Sequence, residues 1–497
     1  MTVTGGRQSD GSERLSVLAQ YGLLAGPLLT MLDSSIVNVA VAPIARSLHA
    51  SVAVVGWTVS GYLLALAVGL AGTSFLARRF GTLAVYAVSL LGFTLASAGC
   101  AAAPTIEGLI AARLLQGLLG APLVPLAMSM LLGGRGNARS VSPAAGMLLF
   151  LGPALGPTIG GGLIALGGWR TMFLVNVPVG LVAVLAARRI PAARAPGRAP
   201  TAPPDLPGLV LLATGLIGVL FGGSQGGTGG WTAAASRAPL AGGVLLLAGY
   251  AGWAFHHPHP ILDLSLLRRR TPTLALLLCA LASVVTFAAV FLLPVFVQSV
   301  QGHSAAATGL ALLPQAVITG LGTVLGQSLL PRISLRITVV TGFLILTVAS
   351  LGLLAIDART PLAVTAAILA ARAAAIGLVI TPLLYAITST LDTGQLADAN
   401  SLFNIFQRIA GSLGIGLIAA LFTTQTRTHG PVAALHTTGL ILTMIAIVAA
   451  AAAILLPSRR VNASPATQSS TAEPTMDCAT RQPAQTSVRN AADAYQN

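Results

Sequence analysis

The sequence predicts an all-α integral membrane protein with about fourteen transmembrane helices. Apolar stretches of about 20 residues recur from end to end, long enough to cross a bilayer core as helices. Charged residues make up only 8% of the 497 residues, against about 25% in soluble proteins. The mean hydropathy is +0.85. The 55 Gly and 29 Pro fit the same class, because small residues let membrane helices approach closely and neighbours re-satisfy a Pro-broken backbone.

Apolar runs read against their breakers place the spans at about 16–41, 53–76, 83–103, 106–132, 141–166, 171–190, 207–224, 239–256, 273–299, 306–330, 337–356, 361–388, 401–424 and 435–457. The first follows a polar start (1–15, a cytoplasmic tail) and is too long for a cleaved signal peptide, so it is retained. The first six spans form one half, 16–190. A Pro-rich stretch, 191–206, follows as a semi-rigid cytoplasmic linker. The seventh and eighth spans, 207–256, read as an inserted pair set in Gly-rich sequence, with Gly222 to Gly226 as a loop. The last six spans, 273–457, form the second half, and the polar segment 458–497 reads as a disordered tail.

All 27 basic residues are Arg. A chain without Lys has no P-loop lysine and no Schiff-base chemistry. The pI of about 11.4 does not point to nucleic acid, because the arginines recur between spans instead of clustering on one element. One set of loops and flanks holds Arg78, Arg79, Arg188, Arg189 and Arg268 to Arg270 among others, whereas the opposite set holds only Arg46, Arg170, Arg237, Arg359 and Arg427. That bias puts both termini in the cytoplasm. Cys100, Cys279 and Cys478 suggest neither a disulfide framework nor zinc spacing. Gly222 to Gly226 spells a serine-hydrolase elbow but follows no strand, and His256, His257 and His259 fix no metal geometry.

Asp33 is the only carboxylate set well inside a span. An ionised side chain in hydrocarbon is expensive, so its presence there is a functional-site hypothesis by default. Arg113 lies some way into the fourth span, where it is expected to face a polar cavity. The tripeptide Ala111-Ala112-Arg113 recurs as Ala370-Ala371-Arg372 in the twelfth span, a faint internal repeat. Arg372 and Arg408 are also intramembrane and have no evident carboxylate partner. Glu107 sits at the start of the fourth span as an end charge and is the second candidate for a coupling carboxylate.

Several motifs stand in order along the chain: Leu32-Asp33-Ser34-Ser35-Ile36-Val37-Asn38; Trp57 to Tyr62; Arg113-Leu114-Leu115-Gln116-Gly117; Gly152-Pro153-Ala154-Leu155-Gly156-Pro157-Thr158-Ile159-Gly160-Gly161; Phe173 to Gly180; and Pro294, Gln298, Gly302, Ser304, Gly309 and Pro314. Together they resemble the fourteen-helix drug/proton antiporter family of the major facilitator superfamily over about 16–457. The resemblance implies a major-facilitator-type fold of two six-helix halves plus an inserted helix pair. It also implies a proton-coupled antiporter in the cell membrane that exports small lipophilic drugs or antibiotics.

On that resemblance Asp33 and Arg113 couple protons. Gly152, Pro153, Gly156, Pro157, Gly160 and Gly161 form an antiporter motif and hinge. Asn38, Trp57, Tyr62, Gln116, Glu107, Arg372 and Arg408 are candidate cavity or gating residues. In the loop motif after the second span Arg79 and Gly81 fit the family, while Ser74 and Arg78 replace its Gly and Asp. The implied partners are a small-molecule substrate, protons and the lipid bilayer, with no nucleic acid, no metal, no enzymatic activity and no cofactor besides the proton gradient, in a monomer. The alternatives are export of an endogenous metabolite, or proton symport of a small organic nutrient.

Overall fold

The computed structural model describes residues 17–132, 143–188, 205–229, 232–258, 260–261, 264–389 and 396–458. Among these residues every regular element is helical. The order is α1 (Val17–Ser47), α2 (Val52–Val55), α3 (Trp57–Phe80), α4 (Thr82–Ala102), α5 (Ile106–Gly120), α6 (Leu123–Leu132), α7 (Pro143–Gly167), α8 (Arg170–Leu174), α9 (Asn176–Ala187), α10 (Leu206–Gly229), α11 (Ala234–His256), α12 (Arg270–Ser299), α13 (Ala305–Leu329), α14 (Leu335–Leu351), α15 (Leu362–Thr388), α16 (Leu396–His429) and α17 (Pro431–Ala453). Among the described residues thirteen helical stretches are long and apolar enough to cross a membrane. The 25-residue α7 supplies a fourteenth of spanning length.

Local chemistry explains the boundaries. Side chains of Ser51, Thr105, Ser304 and Ser334 accept from the first free N–H groups of α2, α5, α13 and α14, which have no partner within the helix. The fourth span breaks between α5 and α6 at Ala121 and Pro122, where proline has no N–H to donate back to the preceding turn. By contrast, α7 runs unbroken through Pro153 and Pro157.

One expectation is overturned. Gly222 to Gly226 are not a loop but part of α10. Their helix is held by close packing: a Cβ at Gly222 would press into Leu240 and the Ser236 carbonyl of α11, and Gly218 and Gly243 meet backbone to backbone. Propensity is weak against such packing, since the lipid offers no competing hydrogen bonds.

The expected linker and tail lie outside the described residues, apart from their edges. At the linker's end the buried Asp205 caps α10 by accepting from Gly208 N (2.9 Å). It also takes Trp253 Nε1 of α11 (2.9 Å) and Ile261 N (3.1 Å). Its two oxygens thereby tie the inserted pair to the segment leading into α12.

The first six spans and the last six meet along seams of small residues. A Cβ at Gly161 would overlap the Ala305 carbonyl of α13, and one at Gly309 the Pro157 carbonyl of α7. Beside them Thr158 Oγ1 donates to Gly309 O (2.9 Å). Gln298 Nε2 donates to Val39 O (2.9 Å) and Ser412 Oγ to Ser60 O (2.8 Å). Val39 lies in the second half of α1, Ser60 in the first turn of α3, Gln298 in the last turn of α12 and Gly309 near the start of α13. Because successive spans alternate in direction, these contacts cluster toward one membrane face. Outward faces of α4, α9, α11 and α17 carry Val88, Leu185, Leu245 and Val448, all exposed, as helices in lipid require.

The pair α13–α15 packs through glycine too: a Cβ at Gly377 would meet Thr323 N and the Gly322 backbone, whereas Gly320 on α13 has nothing within 4 Å. Gly377→Leu is therefore expected to lower the detergent melting temperature by several degrees, the effect of about 1–3 kcal/mol of overpacking. Gly320→Ala is expected to leave it unchanged or raise it slightly. Thermal unfolding of the two purified variants checks both.

Candidate functional site

Asp33 occupies the middle of α1 and is 2% exposed. A carboxylate so buried is costly unless protein donors reach its oxygens. Three side chains supply them. Arg113 of α5 forms a charge-paired hydrogen bond from Nη1 to Oδ2. Gln116, one turn further along α5, donates Nε2 to Oδ1 (3.2 Å), and Asn176 of α9 donates Nδ2 to the same oxygen (3.0 Å). All three contacts are donated to the carboxylate oxygens, as an Asp paired with a guanidinium requires.

The guanidinium is as closely held. Arg113 is fully buried. Its Nε donates to Thr58 O of α3 (2.9 Å) and Nη1 also reaches Gln116 Oε1 (2.7 Å). Its plane lies over the Tyr62 ring at 3.9 Å and is 5.6 Å from the Phe173 centroid, a cation–π arrangement that favours a desolvated cation. Nη2 has no partner. Ser97 of α4 completes the cluster by accepting from Gln116 Nε2 (2.9 Å) and Asn176 Nδ2 (3.0 Å) and donating to Phe173 O (3.3 Å).

Of the residues singled out in the sequence, the structure therefore brings together Asp33, Arg113, Gln116 and Tyr62, whose hydroxyl donates to Thr30 O (3.3 Å). Gly156 and Gly160 pack on α1 just past Asp33: a Cβ at Gly156 would overlap the Ser35 hydroxyl and one at Gly160 would crowd Ile36. Gly161 and Pro157 face α13 instead. Gly152 and Pro153 lie in α7, with surroundings outside the described residues.

The remaining candidates stand apart. Asn38 bonds within its own helix to Ser35 O (3.3 Å). Trp57 is half-buried at the start of α3, and Glu107 is exposed in the first turn of α5. Arg79 is exposed, and Gly81 ends α3 at φ +91°, a conformation that favours glycine. Arg372 is buried on α15, where Nη1 donates to Ser350 Oγ and Nη2 to Val285 O (2.8 Å). Arg408 is half-buried on α16, with Nε unpartnered.

Ser97 and Asn176 are the residues that sequence reasoning missed. Asn176, an amide inside an apolar span, carried a usable signal. Ser97 carried none, because serine is common in membrane helices and usually bonds its own helix.

Comparison with known proteins bears on the family and the fold. The Major Facilitator Superfamily model matches residues 23–415. The "Multidrug resistance protein B homolog" of Mycobacterium tuberculosis is 33% identical over 408 residues, 80% of this chain and 74% of the relative. The "Tetracenomycin C resistance and export protein" of Streptomyces glaucescens is 29% identical over 414 residues, 80% of this chain and 74% of that one. Among solved structures the POT family transporter PepTSo superimposes with a TM-score of 0.65 at 15% identity, covering 88% of this chain and 97% of the other; at that identity the likeness concerns the fold. The helical architecture, the family match and the relatives converge: this chain belongs to the Major Facilitator Superfamily of membrane transporters.

Proposed function

We propose that the chain is a proton-coupled exporter of small lipophilic compounds, drugs or antibiotics among them, that lies in the cell membrane with both termini in the cytoplasm. The observation that supports this reading is the buried Asp33 in the middle of α1, paired with Arg113 and held by Gln116 and Asn176. The names of the relatives, multidrug resistance and tetracenomycin C resistance and export, support the direction of transport.

In the described state the Asp33 charge is matched by Arg113. A proton arriving at Asp33 removes that charge and turns one oxygen from acceptor to donor. Arg113 then loses its counter-ion, and Gln116 and Asn176 lose an acceptor, so α1, α5 and α9 no longer favour the same arrangement. Proton binding thus biases two states of the bundle, which is what coupling requires. One proton supplies about 1.4 kcal/mol per pH unit, and each charge moved about 2.3 kcal/mol per 100 mV.

Asp33→Asn preserves shape and most hydrogen bonding but does not titrate. It is expected to retain substrate binding and lose pH-driven efflux; vesicles of this variant that pump like wild type would move the coupling site elsewhere. Arg113→Gln leaves a buried carboxylate unpaired, a loss of about 3–5 kcal/mol, and is expected to lower both the melting temperature and efflux.

Gly156→Leu forces α7 away from Ser35, so the protein is expected to reach the membrane yet transport nothing. Normal efflux by that variant would remove α7 from the mechanism. The orientation is checked by reporters fused after Arg198 and after Gly230, which are expected on opposite sides of the membrane.

A further inference from the structure

Among the described residues the charged side chains set well inside the spans are Asp33, Arg113, Arg372 and Arg408. Asp33 and Arg113 cancel in one ion pair. The other two leave the transmembrane interior with excess positive charge. Arg372 is at least hydrogen-bonded, to Ser350 and the Val285 carbonyl. Arg408 makes no hydrogen bond or ion pair with any described residue, and its Nε is buried without a partner. A guanidinium in the membrane interior without a counter-charge is costly, and its presence asks for an anion.

The position of Arg408 indicates which anion. It lies one turn before Ser412 on α16, and Ser412 donates across the seam to Ser60 O of α3. Arg408 therefore looks from the last six helices toward the first six. Tyr62, two residues beyond Ser60 on α3, carries the ring that backs Arg113. One turn further along the same helix a Cβ at Gly411 would press into the Phe287 ring of α12. Arg408 thus offers an unspent fork of donors, with aromatic rings one turn away on α12 and across the seam on α3. That combination suits a lipophilic organic anion, whose planar carboxylate accepts two parallel hydrogen bonds from a guanidinium while its hydrocarbon part contacts the rings.

Building on the efflux reading above, we propose that the substrates are singly charged lipophilic organic anions and that Arg408 is the residue that binds their acidic group. An anion leaving the cell while a proton enters moves two charges in the same electrical direction. Export would therefore respond to membrane potential as well as to the pH difference, and more steeply than export of a neutral compound.

The test uses the full-length protein in proteoliposomes with three probes of matched ring: 2-naphthoate, 2-naphthamide and 2-naphthylmethylammonium. Wild type is expected to move naphthoate about tenfold faster than the other two, the lower end of the effect of one charged hydrogen bond. Arg408→Gln is expected to abolish the preference and Arg408→Lys to keep it in weaker form. Arg408→Glu is expected to reverse it in favour of the ammonium probe, a change that a merely structural arginine would not produce. A potential imposed at equal pH is expected to accelerate naphthoate more than naphthamide.

Gradient-driven transport of the amide or ammonium at the naphthoate rate overturns the anion assignment and leaves efflux standing. So does a naphthoate preference that survives Arg408→Gln. Folded wild-type protein that moves none of the three overturns the efflux reading as well.

Discussion

The ion pair between Asp33 and Arg113 is the constraint around which the first six spans are arranged. Two buried charges are tolerable only together and with most of their remaining donors and acceptors engaged. The Thr58 carbonyl, Gln116 and Asn176 engage them from α3, α5 and α9, Ser97 of α4 holds the two amides in place, and Arg113 Nη2 is left without a partner. Sliding α1 by one helical turn would displace the carboxylate by about 5.4 Å and strand both charges. The pair contributes little net stability, yet it fixes the register of the helices that meet at it.

The two halves repeat the arginine and not the acid. Arg113 and Arg372 both follow two alanines on a helix of corresponding place. Each reaches toward the first helix of its own half. There Arg113 finds Asp33 near the middle of α1, and Arg372 finds the Val285 carbonyl near the middle of α12. Ser97 on α4 and Ser350 on α14 also occupy matching helices. The electrostatics of the molecule are consequently lopsided: a neutral cluster on one side and uncompensated positive charge on the other.

Much of this was legible in the sequence because hydrocarbon is a severe solvent. It demands long apolar runs, so the spans were readable, and it penalises charge, so Asp33 and Arg113 announced themselves. The Gly-rich seventh span was harder, since its helix depends on the neighbour that α11 provides, which no local pattern records. Asp205 was also opaque. It reads as the polar end of a linker, but its three hydrogen bonds come from residues as distant in sequence as Trp253 and Ile261. Gln116 was visible as a motif residue, while its position between both charges was not. The lack of a partner for Arg408 could be suspected from the scarcity of acids but required the packing to establish.

At Pro157, Gly161, Ala305 and Gly309 the seam between α7 and α13 brings main chain against main chain, pinned by the one side-chain bond from Thr158 described above. Side chains in contact can trade rotamers and keep touching as their helices creep past one another. Bare backbone surfaces have no such slack. At this seam the gradual slippage available elsewhere in a packed bundle is missing, and separation must be all or none. A snap fastener behaves in the same way: it resists small loads without yielding and then parts in a single step.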